Sequence, residues 1–336
     1  WRLAEGSFSE GPSASSLALQ CRYALVITSL NSLAFKVPPF LLVALVNHGI
    51  WSPAKALAYI RRMPEPAQQA DALVGIKAHL EEGTLTEATA LARQMADELT
   101  QARVMAELAP SLPDAAAKEM MAEARSLENL EARARLQAAL VGRLPKSEQR
   151  QVWNELLAAV RAADHQEEQA NLLVLCAPHL PAGLWAEVLT VARNIESKRS
   201  RGWALSQLAP YLAGQERDQA LADALVALLG LGHPEARVDA VASLAPQLPE
   251  AQRTTAVAEV LVTARAIEHE QGRARALLQL APHLPEPAQR EVLAQALTAA
   301  RTIREAENRA WMLTKLAPYL PESTQDAVFA EAVAAA

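Results

Sequence analysis

Leu280-Ala281-Pro282-His283-Leu284-Pro285 is the motif from which the fold of this chain can be predicted. Close copies stand at residues 108–113, 244–249 and 316–321, and degenerate copies surround residues 78, 142, 178 and 210. Successive copies are separated by either 32 or 36 residues, a difference of about one helical turn. Each interval holds two helical segments. The sequence therefore predicts an all-α fold, an α-α superhelix (solenoid) of about eight two-helix repeats of 32–36 residues.

The composition favours the same fold class. Hydrophobic residues make up 51% of the 336 residues, but aromatic residues make up only 4%. Alanine and leucine supply most of the apolar side chains, and both are strong helix formers, whereas strands prefer β-branched and aromatic residues.

Positions in the first helix of each repeat are counted here from the first proline of the motif, which is Pro282 in the copy quoted above. Positions −5, −2 and +2 hold large apolar residues, and positions −8, −4 and −1 hold small ones. These two sets predict a core face and a face that allows close helix packing. Positions −7, −3 and +1 change in chemistry from repeat to repeat, and we call them the variable stripe.

We predict that the variable stripe binds a protein or peptide on the inner face of the array. The chain has only 4 Phe, 6 Trp and 4 Tyr residues, and four of these aromatic residues lie on the stripe. The stripe also carries five basic and two acidic residues, a formal charge of +3 on a chain of −6. Aromatic residues mixed with arginine are typical of protein interfaces. The predicted contact residues are Trp203, Gln207, Tyr211, Asp239, Gln247, Arg275, Gln279, His283, Trp311, Lys315 and Tyr319.

Two further series of arginines recur with the repeat. The first series lies 17 residues before the next motif proline, and we expect structural ion pairs or helix-end contacts from it. Its members are Arg93, Arg125, Arg161, Arg193, Arg265 and Arg301, with Leu229 in the place of a seventh. The second series occupies position −9, and we expect each side chain to form a salt bridge to a neighbouring repeat. Its members are Arg133, Arg201, Arg237, Arg273 and Arg309.

Three segments are predicted along the chain. Residues 1–14 are rich in Ser, Gly and Glu and are expected to be a flexible lead-in. Residues 15–63 form an N-terminal helical segment, with helices at Leu17–Phe35 and Pro39–Asn47 and a third starting at Ser52-Pro53. Trp51 is placed to act as a hydrophobic staple for that third helix. Residues 64–336 form the repeats.

The motifs of common catalytic and metal sites are absent from the sequence. It contains no phosphate-binding glycine loop, no His-x-x-x-His and no Cys-x-x-Cys. We therefore expect no enzymatic activity, no cofactor and no metal. The longest apolar run, Phe40–Val46, has seven residues, whereas a membrane span needs about 20. Two cysteines, Cys21 and Cys176, cannot form a disulfide framework, which favours a cytoplasmic protein.

The repeat motif resembles one found in a family of bacterial signalling proteins. Leu-Ala-Pro-His-Leu-Pro-Glu at residues 280–286, with Ala-Arg-x-Ile before it at 264–267, is similar to helical repeats of STAND ATPases of the NB-ARC and NACHT kind. The segment from Arg22-Tyr23-Ala24-Leu25 through Pro38-Pro39, His48 to Pro53 and Ala56 to Tyr59 resembles the stretch that leads into those repeats. A proline inside the first helix also resembles HEAT-type repeats more than tetratricopeptide repeats.

This resemblance covers residues 22–336 and implies a sensor array whose ATPase module is not part of this chain. Ligand binding to the array would then release or impose autoinhibition of the parent protein. Two alternatives stay open. One is a nucleic-acid reader with one variable side chain per base, which the acidic total charge and the lack of a continuous basic ridge argue against. The other is a purely structural or oligomerisation scaffold.

Overall fold

The computed structural model describes Arg22, Tyr23 and residues 37–335. From residue 37 onward the described chain forms 18 α-helices and no strand, so the all-α prediction is confirmed. The chain divides into two compact units, with the division between Leu156 and Leu157. The predicted lead-in and all of the predicted helix Leu17–Phe35 except Arg22 and Tyr23 lie outside the described residues.

The helices follow the predicted pairing. Helices up to the division are α1 (Pro39–Asn47), α2 (Pro53–Ile60), α3 (Pro66–Ile76), α4 (Glu82–Arg93), α5 (Glu98–Leu108), α6 (Asp114–Ser126), α7 (Leu130–Val141) and α8 (Lys146–Ala162), which contains it. The later helices are α9 (Gln166–Cys176), α10 (Trp185–Arg193), α11 (Lys198–Leu208), α12 (Gly214–Leu229), α13 (Pro234–Leu244), α14 (Glu250–Arg265), α15 (Glu270–Leu280), α16 (Glu286–Arg301), α17 (Ala306–Leu316) and α18 (Glu322–Ala335). From α3 onward they make eight pairs, each with a first and a second helix.

The first helices form the closely packed layer of each unit. Core positions are buried as predicted, for example Leu205 and Leu208 in α11. Small residues at positions −8 and −1, such as Gly202 and Ala209, are buried as well. Successive first helices pack directly on one another, as α9 does on α11 and α13 on α15. The first helices therefore lie on the inner, more tightly spaced side, because small residues let helix backbones approach.

The motif proline ends the first helix rather than lying inside it, which corrects the expectation from the sequence. In α15 the α-helix stops at Leu280, and Ala281–His283 form one turn of 3₁₀-helix. The amide of Leu284 closes that turn on the carbonyl of Ala281 at 3.2 Å. The reason is that a proline ring clashes with the carbonyl four residues earlier and has no N–H for the α-helical ladder. Seven of the eight repeats have this turn, and the repeat with Gly142 lacks it. One of the seven has Ala78 in place of the proline, so proline favours the turn but is not required for it.

The N-terminal helices confirm two of the local predictions that fall on described residues. Helix α1 has the predicted bounds, and Gly49 follows it with a φ of 68°. The Ser52 hydroxyl caps α2 by accepting a hydrogen bond from the amide of Lys55 at 3.3 Å. The rings of Trp51 and Tyr59 lie 4.5 Å apart. Tyr59 is the last residue but one of α2, whereas a staple joins Trp51 to the fourth helical residue, Ala56. The staple therefore stays a prediction.

An arginine ladder joins successive second helices, as the sequence predicted for the first arginine series. Each arginine at the end of one second helix pairs with a carboxylate on the next second helix. The pairs are Arg93–Glu123 (2.8 Å), Arg125–Glu155 (3.7 Å), Arg161–Glu187, Arg193–Asp223 (2.7 Å), Arg265–Glu291 (3.2 Å) and Arg301–Glu331 (2.7 Å). Long arginine side chains thus connect the second helices, whereas the first helices pack directly through small residues.

The arginines at position −9 have a different role from the one predicted. Each donates to the backbone carbonyl six residues before it, and none forms a salt bridge to a neighbouring repeat. The bonds run from Arg133 to Leu127 (3.3 Å), Arg201 to Ile195 (2.7 Å), Arg237 to Leu231 (2.7 Å), Arg273 to Ile267 (2.8 Å) and Arg309 to Ile303 (2.7 Å). These carbonyls lie in the turn between repeats, where helix termini leave backbone acceptors unpaired. The guanidinium therefore fixes the inter-repeat turn.

Candidate functional site

The variable stripe is exposed, as the helical periodicity predicted. Its aromatic residues are accessible to solvent: Trp203 by 38%, Tyr211 by 49%, Trp311 by 50% and Tyr319 by 52%. The neighbouring core positions of the same helices are buried. Large aromatic residues that keep about 40–50% of their surface exposed on a well-packed helix mark interaction surfaces.

A groove of about 1000 Å³ runs across three successive first helices of the second unit. Helices α9, α11 and α13 and the end of α12 form its walls. Four predicted contact residues line this groove, namely Trp203, Gln207, Asp239 and Gln247. Ligand pockets commonly enclose about 300–1000 Å³, so the groove has room for several residues of a polypeptide. We refer to it below as the Trp203 groove.

The other predicted contact residues do not line the Trp203 groove. Arg275 is connected to it through an ion pair with Asp239, at 3.2 Å. Tyr211 stacks on Trp185 of α10, with ring centroids 6.2 Å apart and planes inclined by 19°. In the last repeat the Lys315 ammonium lies 5.9 Å from the ring centroid of Trp311. Gln279, His283 and Tyr319 also lie outside the groove.

The basic residues of the variable stripe are paired, which changes the charge argument made from the sequence. Arg103 pairs with Asp71, Arg135 with Glu131, Arg143 with Asp114 and Arg275 with Asp239, at distances of 2.9, 2.8, 2.9 and 3.2 Å. Arg143 also donates to the carbonyl of Leu112 at 2.7 Å. The formal charge of +3 therefore overstates the attraction of the stripe for anions, because Asp71, Glu131 and Asp114 were not included in that charge and offset three of the arginines.

Three charged groove residues were missed by the sequence analysis. Glu167, Arg199 and Glu235 occupy position −11 in three successive repeats and line the Trp203 groove. Position −11 lies one helical turn before position −7, on the same face. Extending the series −7, −3 and +1 by one helical turn towards the N-terminus would have predicted them. Trp185 was missed as well, because it lies on a second helix and reaches Tyr211 only through the fold.

In the second unit, burial is the largest cause of the pKa shifts of His283 and Cys176. Burial and the nearby Arg253 guanidinium both lower the pKa of His283, so its imidazole is neutral at pH 7. Burial raises the pKa of the Cys176 thiol to about 12. A thiol held in the protonated form is a poor nucleophile, and Cys176 is therefore a core residue.

Searches for metal-binding and membrane-spanning features give a negative result for the part of the chain that the structure describes. There, no group of three or more His, Cys, Asp or Glu side chains is placed to hold a metal ion. Nor is any helix between residues 37 and 335 both long and apolar enough to cross a bilayer. No protein-family model matches the chain, and no curated protein matches it in sequence.

Proposed function

We propose that this chain is a non-catalytic binding module that holds a segment of another polypeptide on the variable stripe of its second unit. The observation that carries the proposal is the exposure of Trp203, Tyr211, Trp311 and Tyr319 on one face of the first helices. Interface hot spots are enriched in tryptophan and tyrosine, each often worth about 2 kcal/mol or more.

The layer in which these residues lie supports the same function. First helices form the tightly spaced side of the unit, and repeat arrays use that side as an extended binding surface. The Trp203 groove crosses three of them, so one extended ligand touches several repeats at once. Four stripe arginines are already paired with carboxylates, which leaves the surface poorly suited to a phosphate backbone.

The resemblance of the repeats to STAND signalling ATPases supports a regulatory setting for this binding. We propose that the array is the sensor of such a protein in the cytoplasm and that ligand binding changes the activity of an attached NTPase module. The ligand would then act by binding one state of the whole protein more tightly than the other.

A displayed library of random dodecamer peptides, panned on the full 336-residue chain, tests the binding function. The wild-type chain is expected to retain a defined set of peptides. The double variant Trp203→Ala/Trp311→Ala is expected to lose them, with a nearly unchanged melting temperature, because neither ring is part of the core. Circular dichroism on heating checks the fold of each variant.

The matched control is Phe40→Ala/Phe329→Ala, which removes two exposed aromatic rings away from the stripe. It should retain the same peptides as the wild type. Equal retention by the Trp203→Ala/Trp311→Ala chain would show that the stripe is only a solvated face. If the wild-type chain retains no peptide, it is not a peptide-binding module.

A further inference from the structure

Two tryptophans of the described chain have a lysine ammonium over the ring. A lysine four residues later places its ammonium over the ring in two cases: Lys55 over Trp51 at 4.6 Å and Lys315 over Trp311 at 5.9 Å from the ring centroid. A cation over the face of an indole is attracted by the negative charge of the ring face. In the last repeat, the tryptophan at position −7 thus carries a cation of the chain itself on its ring.

Trp203 is the repeat equivalent of Trp311 but has no such lysine. Gln207 stands where Lys315 stands in the last repeat. Among the described residues no cation lies over the Trp203 ring, which is 38% exposed and lines the groove. The indole face is thus available to a cation from another molecule.

The walls of the Trp203 groove carry the charge that such a cation requires. Glu167 of α9 and Glu235 and Asp239 of α13 line the groove from the two first helices next to α11. The Glu235 carboxylate lies against Gly272 of α15. Asp239 is paired with Arg275, but Glu167 and Glu235 form no ion pair within the described residues. Arg199 is the one lysine or arginine that lines the groove. Because Arg275 offsets Asp239, the two unpaired carboxylates against one guanidinium give the lining a formal charge of −1.

We propose that the Trp203 groove binds an extended, basic segment of a partner polypeptide, with one lysine or arginine side chain resting on Trp203. Glu167 and Glu235 supply the unpaired negative charge of the groove. The volume of about 1000 Å³ exceeds that of a single side chain, so the flanking peptide occupies the rest of the groove near Gln207 and Gln247. This proposal names the ligand chemistry of the proposed function and rests on it.

The test combines composition and affinity. Random dodecamers retained by the wild-type chain are sequenced, and fluorescein-labelled members of the set are titrated by fluorescence anisotropy. Lysine or arginine should be enriched in the retained peptides. The variant Gln207→Lys rebuilds the Trp311–Lys315 arrangement and places a cation of the chain itself over Trp203. It is expected to weaken binding about tenfold, as is the double variant Glu167→Gln/Glu235→Gln.

Two controls match these variants in charge. Gln215→Lys adds the same charge on the exposed start of α12, away from the groove, and Glu259→Gln removes a carboxylate from the outer surface of α14. Both should bind as the wild type does. Retained peptides that lack basic residues, or that bind Gln207→Lys as tightly as the wild type, would overturn the cation site and leave the proposed function intact. Peptides retained equally by Trp203→Ala/Trp311→Ala would overturn both.

Discussion

Gly202 shows how single residues set the spacing of the helices. A Cβ atom at this position would lie 2.6 Å from Cγ of Leu228 and 3.2 Å from the carbonyl oxygen of Ala224. Leu228 is buried, so its side chain would have to shift to admit a Cβ atom at Gly202. Helices α11 and α12 therefore approach more closely at Gly202 than a side chain permits.

We predict that Gly202→Ala destabilises the chain although alanine is the better helix former. Overpacking costs about 1–3 kcal/mol, whereas the gain in helix propensity is at most about 1 kcal/mol. Gly83, in α4, has no atom within 4 Å of its would-be Cβ, so Gly83→Ala should stabilise slightly. Urea unfolding followed by circular dichroism measures both changes, and a stabilised Gly202→Ala would show that the contact relaxes freely.

At the same scale, the sequence predicted which residues face the core and which face solvent, but not their partners. The alternation of large, small and variable residues fixes the phase of each first helix, which is why Trp203 and Leu205 were assigned to the correct faces. Pairing was harder to predict. Arg103 meets Asp71 from the previous repeat, a contact that depends on the distance between helices rather than on local spacing.

At the scale of elements, the series of arginine–carboxylate ion pairs between second helices is interrupted once, at Leu229. Leu229 takes the place of the arginine at the end of α12, while Glu259 of α14 keeps the partner position, 30 residues later. The same separation of 30 residues joins Arg93 to Glu123 and Arg301 to Glu331. The second helices of these two repeats thus keep one half of an ion pair.

We predict that Leu229→Arg completes the ladder by pairing with Glu259. The gain in unfolding free energy should be below about 1 kcal/mol, because exposed ion pairs are screened by solvent, and it should shrink in 1 M salt. Melting curves at low and high salt measure it. A double-mutant cycle with Glu259→Gln isolates the pair, and a zero coupling energy would show that the rung does not form.

Element boundaries were predicted to within a few residues, and the remaining error has one cause. The proline motif was placed inside the first helix, whereas the α-helix ends two residues before the proline in the copy at Pro282. Sequence spacing cannot distinguish a last α-helical turn from a 3₁₀ turn, since both keep the +2 leucine on the core face. After the 3₁₀ turn the extended residue at +2 is buried in the case of Leu320 and half-buried in the case of Leu284.

At the scale of the whole molecule, the number of repeats followed from the sequence and the division into two units did not. Counting the motif gave eight repeats, and the described helices form eight pairs. The division falls between Leu156 and Leu157, within α8. Nothing in the local pattern marks this point, because α8 has the same apolar periodicity as the other second helices and its core residues Leu156 and Leu157 are both buried.

The stacked arrangement predicts that a core defect spreads only to neighbouring repeats. Leu205 is fully buried in α11, and Leu205→Ala should cost about 3 kcal/mol through lost burial and the cavity left behind. In an array whose repeats touch only their neighbours, stability is a sum of repeat and interface terms. Amide hydrogen exchange in Leu205→Ala should therefore accelerate in α9–α14 and stay at the wild-type rate in α17 and α18. Trp203→Ala, two residues away on the exposed stripe, should leave exchange nearly unchanged throughout. Uniform acceleration across residues 157–335 in Leu205→Ala would instead mean that the second unit opens as one cooperative block, so that a ligand in the Trp203 groove would stabilise all five of its repeats together.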